Sequence, residues 1–211
     1  MRKRVLRTLV LLSLLLASAA DAQDASKYYV TLGGGALFAT DADGTPVGTI
    51  SFDAGYSLNA GIGRQIYRGD GVAFDLHAEV LFNSQQINDD DVENNSLSSD
   101  QAESLSWMLS GIFDFYLAPQ FSFYLGAGAG WASSIEFQAF DQPGNFRLED
   151  DNGFAYQGRA GFKYGLGGYT DVSLGYRFFS IESVDIIPLA GPNSELDYDR
   201  HVVEIVMSWS L

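Results

Sequence analysis

The sequence predicts an all-β chain, an eight-stranded antiparallel up-and-down barrel that crosses a membrane, and three observations carry this expectation. Apolar residues recur at every second position in segments of about ten residues, the period of a strand whose two faces meet different surroundings. The connections between these segments are short and long in turn, which gathers turns on one rim and loops on the other. Finally, 23 glycines and 14% aromatic residues at a mean hydropathy of +0.00 fit neither a helical membrane bundle nor a disordered chain.

Before the first strand, Arg2, Lys3, Arg4 and Arg7 precede an apolar run from Thr8 to Ala17, and Ala20 and Ala22 place small residues at the two positions a signal peptidase reads. Residues 1–22 are therefore expected to be a secretory signal peptide, and residues 23–211 the barrel domain. The apolar run is roughly half the ~20 residues a spanning helix needs.

Strand one runs from Tyr28 to Phe38, with Tyr28, Val30, Leu32, Ala36 and Phe38 opposed to Tyr29, Thr31, Gly33 and Gly35. Strand two sets Phe52, Ala54, Tyr56, Leu58, Ala60 and Ile62 against Asp53, Gly55, Ser57, Asn59, Gly61 and Gly63. Strand three, from Val72 to Phe82, sets Phe74, Leu76, Ala78 and Val80 against Asp75, His77 and Glu79. Strand four has Leu105, Trp107, Leu109, Phe113 and Phe115 opposite Ser104, Ser106, Ser110 and Asp114. Strand five has Phe121, Phe123, Leu125, Ala127, Ala129 and Trp131 opposite Ser122 and a glycine row. In strand six Phe154, Tyr156, Ala160, Phe162 and Tyr164 oppose Gln157, Arg159, Gly161 and Lys163. Strand seven opposes Val172, Leu174, Tyr176 and Phe178 to Asp171, Ser173, Gly175 and Arg177. In strand eight Val203, Ile205, Met207, Trp209 and Leu211 oppose Val202, Glu204, Ser208 and Ser210. Short gaps fall at Arg64 to Gly71, Ala118 to Gln120 and Gly167 to Tyr169; long polar ones include Asn83 to Glu103, Ser133 to Asn152 and Ser180 to Arg200.

Two features turn the apolar face outward, to lipid. Aromatic residues gather near both strand ends with smaller residues between, as in paired interfacial girdles: Phe52, Trp107, Phe115, Phe121, Trp131, Phe154, Tyr164 and Trp209. The opposite face, rich in glycine, serine and charge, is too polar for the dry core of a soluble barrel.

The leader, the eight strands, the alternating connections and the terminal strand from His201 to Leu211 together resemble the small outer-membrane β-barrel proteins of Gram-negative bacteria, the opacity and surface-antigen type with the OmpA-like transmembrane domain. The resemblance covers the whole of residues 23–211. It implies a monomer in the cell outer membrane, with termini in the periplasm and four loops at the cell surface. Its partners are then outer-membrane lipid and lipopolysaccharide, the barrel-insertion machinery, which reads Val203, Ile205, Met207, Trp209 and Leu211 on the terminal strand, and a host or surface ligand at the loops. Such chains end in an aromatic residue, whereas this one ends in Leu211 with Trp209 two positions back. That departure leaves the strength of insertion recognition open.

The alternation places Asp53, Asp75, His77, Glu79, Asp114, Arg159, Lys163, Arg177 and Glu204 in the lumen. Unpaired buried ions are costly, so both signs are expected to form one ion-pair network. Eight strands leave a bore that side chains fill, which favours a plug; the alternative is a narrow channel gated by exchange of Arg159 or Arg177 between carboxylates. A structural, surface-exposed role follows, adhesive or antigenic through the loops.

Some barrels of this group modify lipid A or phospholipid acyl chains, which needs a nucleophile beside a base. His77 lies on the lumenal face, and His201 is followed two positions on by Val203, so the His-x-Ser pattern of lipid A deacylases is absent and no enzyme is expected. The glycine clusters at Gly33 to Gly35 and Gly126 to Gly130 sit within strands rather than before a helix, which excludes a phosphate loop. Asp89 to Asp91, Glu93 and Glu149 to Asp151 lack calcium-loop spacing, and Asp41 to Gly44 reads as a turn, so no metal or other cofactor is expected; divalent ions bridging the loops to lipopolysaccharide remain a hypothesis. A formal charge of -15, with basic residues clustered only in the leader, excludes nucleic acid as a partner. The lack of cysteine removes thiolate chemistry.

Overall fold

The computed structural model describes residues 27–39, 42–44, 48–50, 53–86, 101–137, 153–186 and 194–211. In chain order the strands are β1 (Tyr28–Ala39), β2 (Ala42–Gly44), β3 (Gly48–Ile50), β4 (Gly55–Arg68), β5 (Val72–Gln86), β6 (Gln101–Ala118), β7 (Phe121–Phe137), β8 (Gly153–Gly167), β9 (Thr170–Ile186) and β10 (Ser194–Ser210). The long strands form one closed antiparallel barrel in which each pairs with the next and β10 closes on β1; β2 and β3 form a separate hairpin. Closure leaves no sheet edge, so every backbone donor and acceptor in the lipid band can be satisfied by a neighbouring strand. The signal peptide, Phe52 and the acidic loop clusters lie outside the described residues.

Short turns join β4 to β5, β6 to β7 and β8 to β9. The last is made by Gly167 and Gly168, whose φ angles of 96° and 66° only glycine adopts without strain. Both ends of the barrel chain lie on this rim. Ser210 donates its amide to Tyr169 at 2.8 Å, and Leu211 donates to Tyr28 at 2.9 Å, tying the last residue to the first strand.

The strands run further than their apolar stretches. Expected to end at Gly63, β4 continues to Arg68 across a register shift between Gln65 and Tyr67. The bulge puts Ile66 and Tyr67 both outward, and that loss of alternation hid the continuation. Stretches read as loop, such as Asn83 to Gln86 and Gln101 to Ser104, pair with each other across β5 and β6. Strands need apolar residues only where lipid is present, and beyond it the pairing persists through polar ones. The expected turn at Asp41 to Gly44 instead contributes Ala42–Gly44 to the hairpin.

The outward face is apolar throughout the band. Leu32, Leu58, Leu109, Leu125, Leu174 and Ile205 are all at least half exposed, the reverse of a soluble fold. An arginine at Leu109, which lies between Ala78 and Ala129 in the sheet, is therefore expected to cost about 2–4 kcal/mol, against about 0–1 kcal/mol at Leu117 beside the short turn. Urea unfolding in lipid vesicles measures both. Equal costs at the two heights would contradict a lipid-facing band.

Inside, the lumen has two unlike layers. Polar and charged residues fill its middle, as the alternation requires. Toward the loop rim lies an apolar cluster of Leu81, Met108, Ala132, Ala155, Phe179 and Ile181, which the expectation of a wholly polar lumen did not include.

Candidate functional site

The middle of the lumen is built from alternate residues of strands on opposite walls. Glu79 comes from β5, Arg159 from β8, Arg177 from β9 and Glu204 from β10. Arg177 Nη2 lies 3.0 Å from Glu79 and 2.9 Å from Glu204, and Arg159 reaches the same carboxylates at 3.3 and 2.9 Å. Each cation thus touches both anions, making a charge-neutral box. Gln157 ties it to the walls: its amide nitrogen donates to Glu79 at 2.7 Å and to Ser110 at 2.8 Å, while its oxygen accepts from Arg177 Nη1 at 2.7 Å. Asn59 donates to Glu204 at 3.2 Å. Arg177 is 0% exposed, and the carboxylates of Glu79 and Glu204 are equally enclosed. Such an arrangement satisfies the fork-shaped donors of arginine. It leaves no net charge to be stabilised by water.

The other lumenal candidates do not all join this box. Lys163 pairs separately with Asp114 at 2.8 Å, nearer the short-turn rim. His77 stacks on Tyr29 with ring centroids 6.0 Å apart, shares a 3.0 Å hydrogen bond with Thr31, and lies 3.9 Å from Glu79. Asp75 is buried in the lumen but makes no ion pair among the described residues, so it does not belong to the expected network. Nor does Asp53. It is exposed, precedes β4 and bonds through its backbone amide to Gln86, because the strand begins at Gly55, three residues later than the alternation suggests.

Arg200, in the stretch expected to be a long polar connection, is buried inside the barrel. It donates to Ser104 and lies 5.8 Å over the Phe179 ring, against the apolar layer. Its signal was phase: Arg200, Val202 and Glu204 share one face of β10. Gln157 and Asn59 share the lumenal phase as well, but an uncharged amide carries no signal of an ion-pair network.

On the lipid face, Trp107, Trp131 and Phe154 align in one cross-strand row toward the loops. Phe115 and Phe123, 6.3 Å apart, and Phe121 and Phe162, 5.4 Å apart, form a second belt near the short turns, where Tyr164 pairs with Phe121. Trp209 is half-buried, and Val203, Ile205, Met207 and Leu211 face outward. His201 faces outward too, between Tyr176, whose hydroxyl is 2.5 Å from its Nδ1, and Phe178.

The chain is similar in fold to Neisserial surface protein A: 16% identity, covering 87% of this chain and 97% of that one, with a TM-score of 0.54. It also aligns with the outer membrane enzyme PagL (14% identity, 87% and 99% covered, TM-score 0.48) and with Ail, the attachment invasion locus protein of Yersinia pestis (11% identity, 87% and 99% covered, TM-score 0.40). A search of curated proteins finds no significant sequence match. The family model for the outer membrane protein beta-barrel domain matches residues 8–210, in agreement with the closed barrel and its lipid-facing exterior, and the chain belongs to that family.

Proposed function

We propose that the protein is a closed outer-membrane barrel whose lumen does not conduct and whose role is exercised by the loops it holds at the cell surface. The observation that carries this reading is the doubly sealed lumen: the neutral box of Glu79, Arg159, Arg177 and Glu204, with the apolar layer of Leu81, Met108, Phe179 and Ile181 beyond it. Water or ions crossing the barrel must break buried charge-assisted bonds and then wet an apolar constriction. Adhesion or antigenic display suits a rigid scaffold with variable loops. The outward His201, with Tyr176 and Phe178 as its described neighbours, gives no support to a lipid-modifying activity.

The refolded barrel is expected to be silent in planar bilayers. The double substitution Phe179→Ala, Arg177→Ala, which opens both seals, is expected to produce discrete conductance steps. Steps in the unaltered protein that change with Arg159→Ala or Arg177→Ala would replace this reading with that of a narrow gated channel.

A further inference from the structure

We propose that the short-turn mouth of the lumen is a binding site for a small zwitterion, a primary ammonium joined by a short chain to an anionic group. A cavity of about 300 Å3 occupies this mouth, between the Lys163–Asp114 pair and the turns. Asp75 lines it and is only 3% exposed. Tyr29 and Gln65 hydrogen-bond its carboxylate, but Oδ1 accepts no bond from any described residue. Asp75 brings to the cavity wall a negative charge that no described cation pairs within ion-pair distance, and an ammonium is the ligand group that meets that charge.

The same cavity is lined by Arg68, at the exposed end of β4. Its guanidinium lies 5.2 Å over the Tyr116 ring and pairs with no carboxylate among the described residues. The stacked ring fixes one face of the guanidinium and leaves its edge for an oxyanion. Asp75 on β5 and Arg68 on β4 belong to neighbouring strands joined by the first short turn, so the two charges stand at different depths on one wall. Carboxylates and cations are equal in number around the cavity, with three aspartates facing Lys27, Arg68 and Lys163. A ligand of net charge therefore gains less there than a dipolar one. Among the described residues no three acidic or histidine side chains are grouped to hold a metal ion.

Isothermal titration of the full barrel tests this in octyl glucoside, a detergent without a zwitterionic headgroup. Glycerophosphoethanolamine, the net-neutral phosphodiester form of phosphoethanolamine, and glycylglycine serve as probes, ethylamine and inorganic phosphate as controls of one charge sign. At least one zwitterion is expected to bind roughly tenfold more tightly than either control. Binding of glycerophosphoethanolamine alone points to a lipid headgroup as the source, and binding of glycylglycine to a free solute. Asp75→Asn and Arg68→Gln are each expected to remove that preference, with folding checked by heat-modifiable gel mobility. Should Asp75→Asn fail to fold, the exposed Arg68→Gln carries the test. Absence of binding at millimolar concentration, or equal binding by Arg68→Gln and the unaltered protein, overturns the proposal.

Discussion

Replacing Arg177 with methionine is expected to destabilise the barrel by about 3–5 kcal/mol, because it leaves two buried carboxylates sharing one cation. The substitution removes hydrogen bonds to Glu79 at 3.0 Å, to Glu204 at 2.9 and 3.1 Å and to Gln157 at 2.7 Å, while keeping most of the side-chain volume. Arg159 still touches both carboxylates, at 2.9 and 3.3 Å, but one guanidinium cannot neutralise two charges away from water. Adding Glu79→Gln restores neutrality with Arg159 and Glu204 as the remaining pair. The double variant is therefore expected to recover much of the loss, a coupling of about 0.5–3 kcal/mol. Urea midpoints in lipid vesicles give the four corners of this cycle. An Arg177→Met loss no larger than that of an exposed substitution, or strict additivity with Glu79→Gln, would show that the box is hydrated and not a seal.

Much of this architecture was legible because lipid imposes a period of two and closure imposes alternating connections. Leu58 and Asn59, or Leu109 and Ser110, declare their faces without any knowledge of partners. The box was legible only as a set of charges on one face. Which anions Arg159 and Arg177 reach depends on strand stagger around the barrel, and no single segment encodes that. Asp75 and Asp114 look alike in sequence, yet Lys163 on β8 reaches only Asp114 within ion-pair distance. Sequence pattern and structure part where the lipid constraint lapses. At Ile66 a bulge breaks the alternation, and around Asn83 and Gln101 pairing continues without apolar residues. At Asp53 the alternation was followed past the point where the strand begins. The apolar layer inside was hidden for a different reason. Leu81, Phe179 and Ile181 keep lumenal phase but are apolar at strand ends where the inner face is expected to be polar, and Ile181 falls in the stretch expected to be a connection, so the alternation assigns them to neither face.

The largest effect of a single added side chain is expected at Gly35, on the seam where the first and last strands meet. Gly35 pairs with Glu204 across β1 and β10, and its missing side chain points into the lumen. A Cβ there would lie 2.2 Å from the carbonyl oxygen of Val203 and 2.8 Å from the Cα of Glu204. Both are backbone atoms of the neighbouring strand, so no rotamer change relieves the clash; the strand itself must move. Moving β10 there withdraws Glu204 from both arginines and parts the contact between residues most distant in sequence. That contact carries the greatest loop-closure cost of the fold, which makes it the one least able to absorb a loss. Gly35→Val is expected to leave the chain unable to fold into a heat-modifiable barrel, or to give a barrel unfolding at markedly lower urea. Gly158→Ala is the matched control, since a Cβ at Gly158 meets nothing within 4 Å. Adding a methyl group at this outward-facing glycine of β8 should leave the gel shift intact. If Gly35→Val folds and inserts as readily as Gly158→Ala, the seam is not closed at Gly35 and Glu204, and the seating of Glu204 in the box must come from elsewhere on β10.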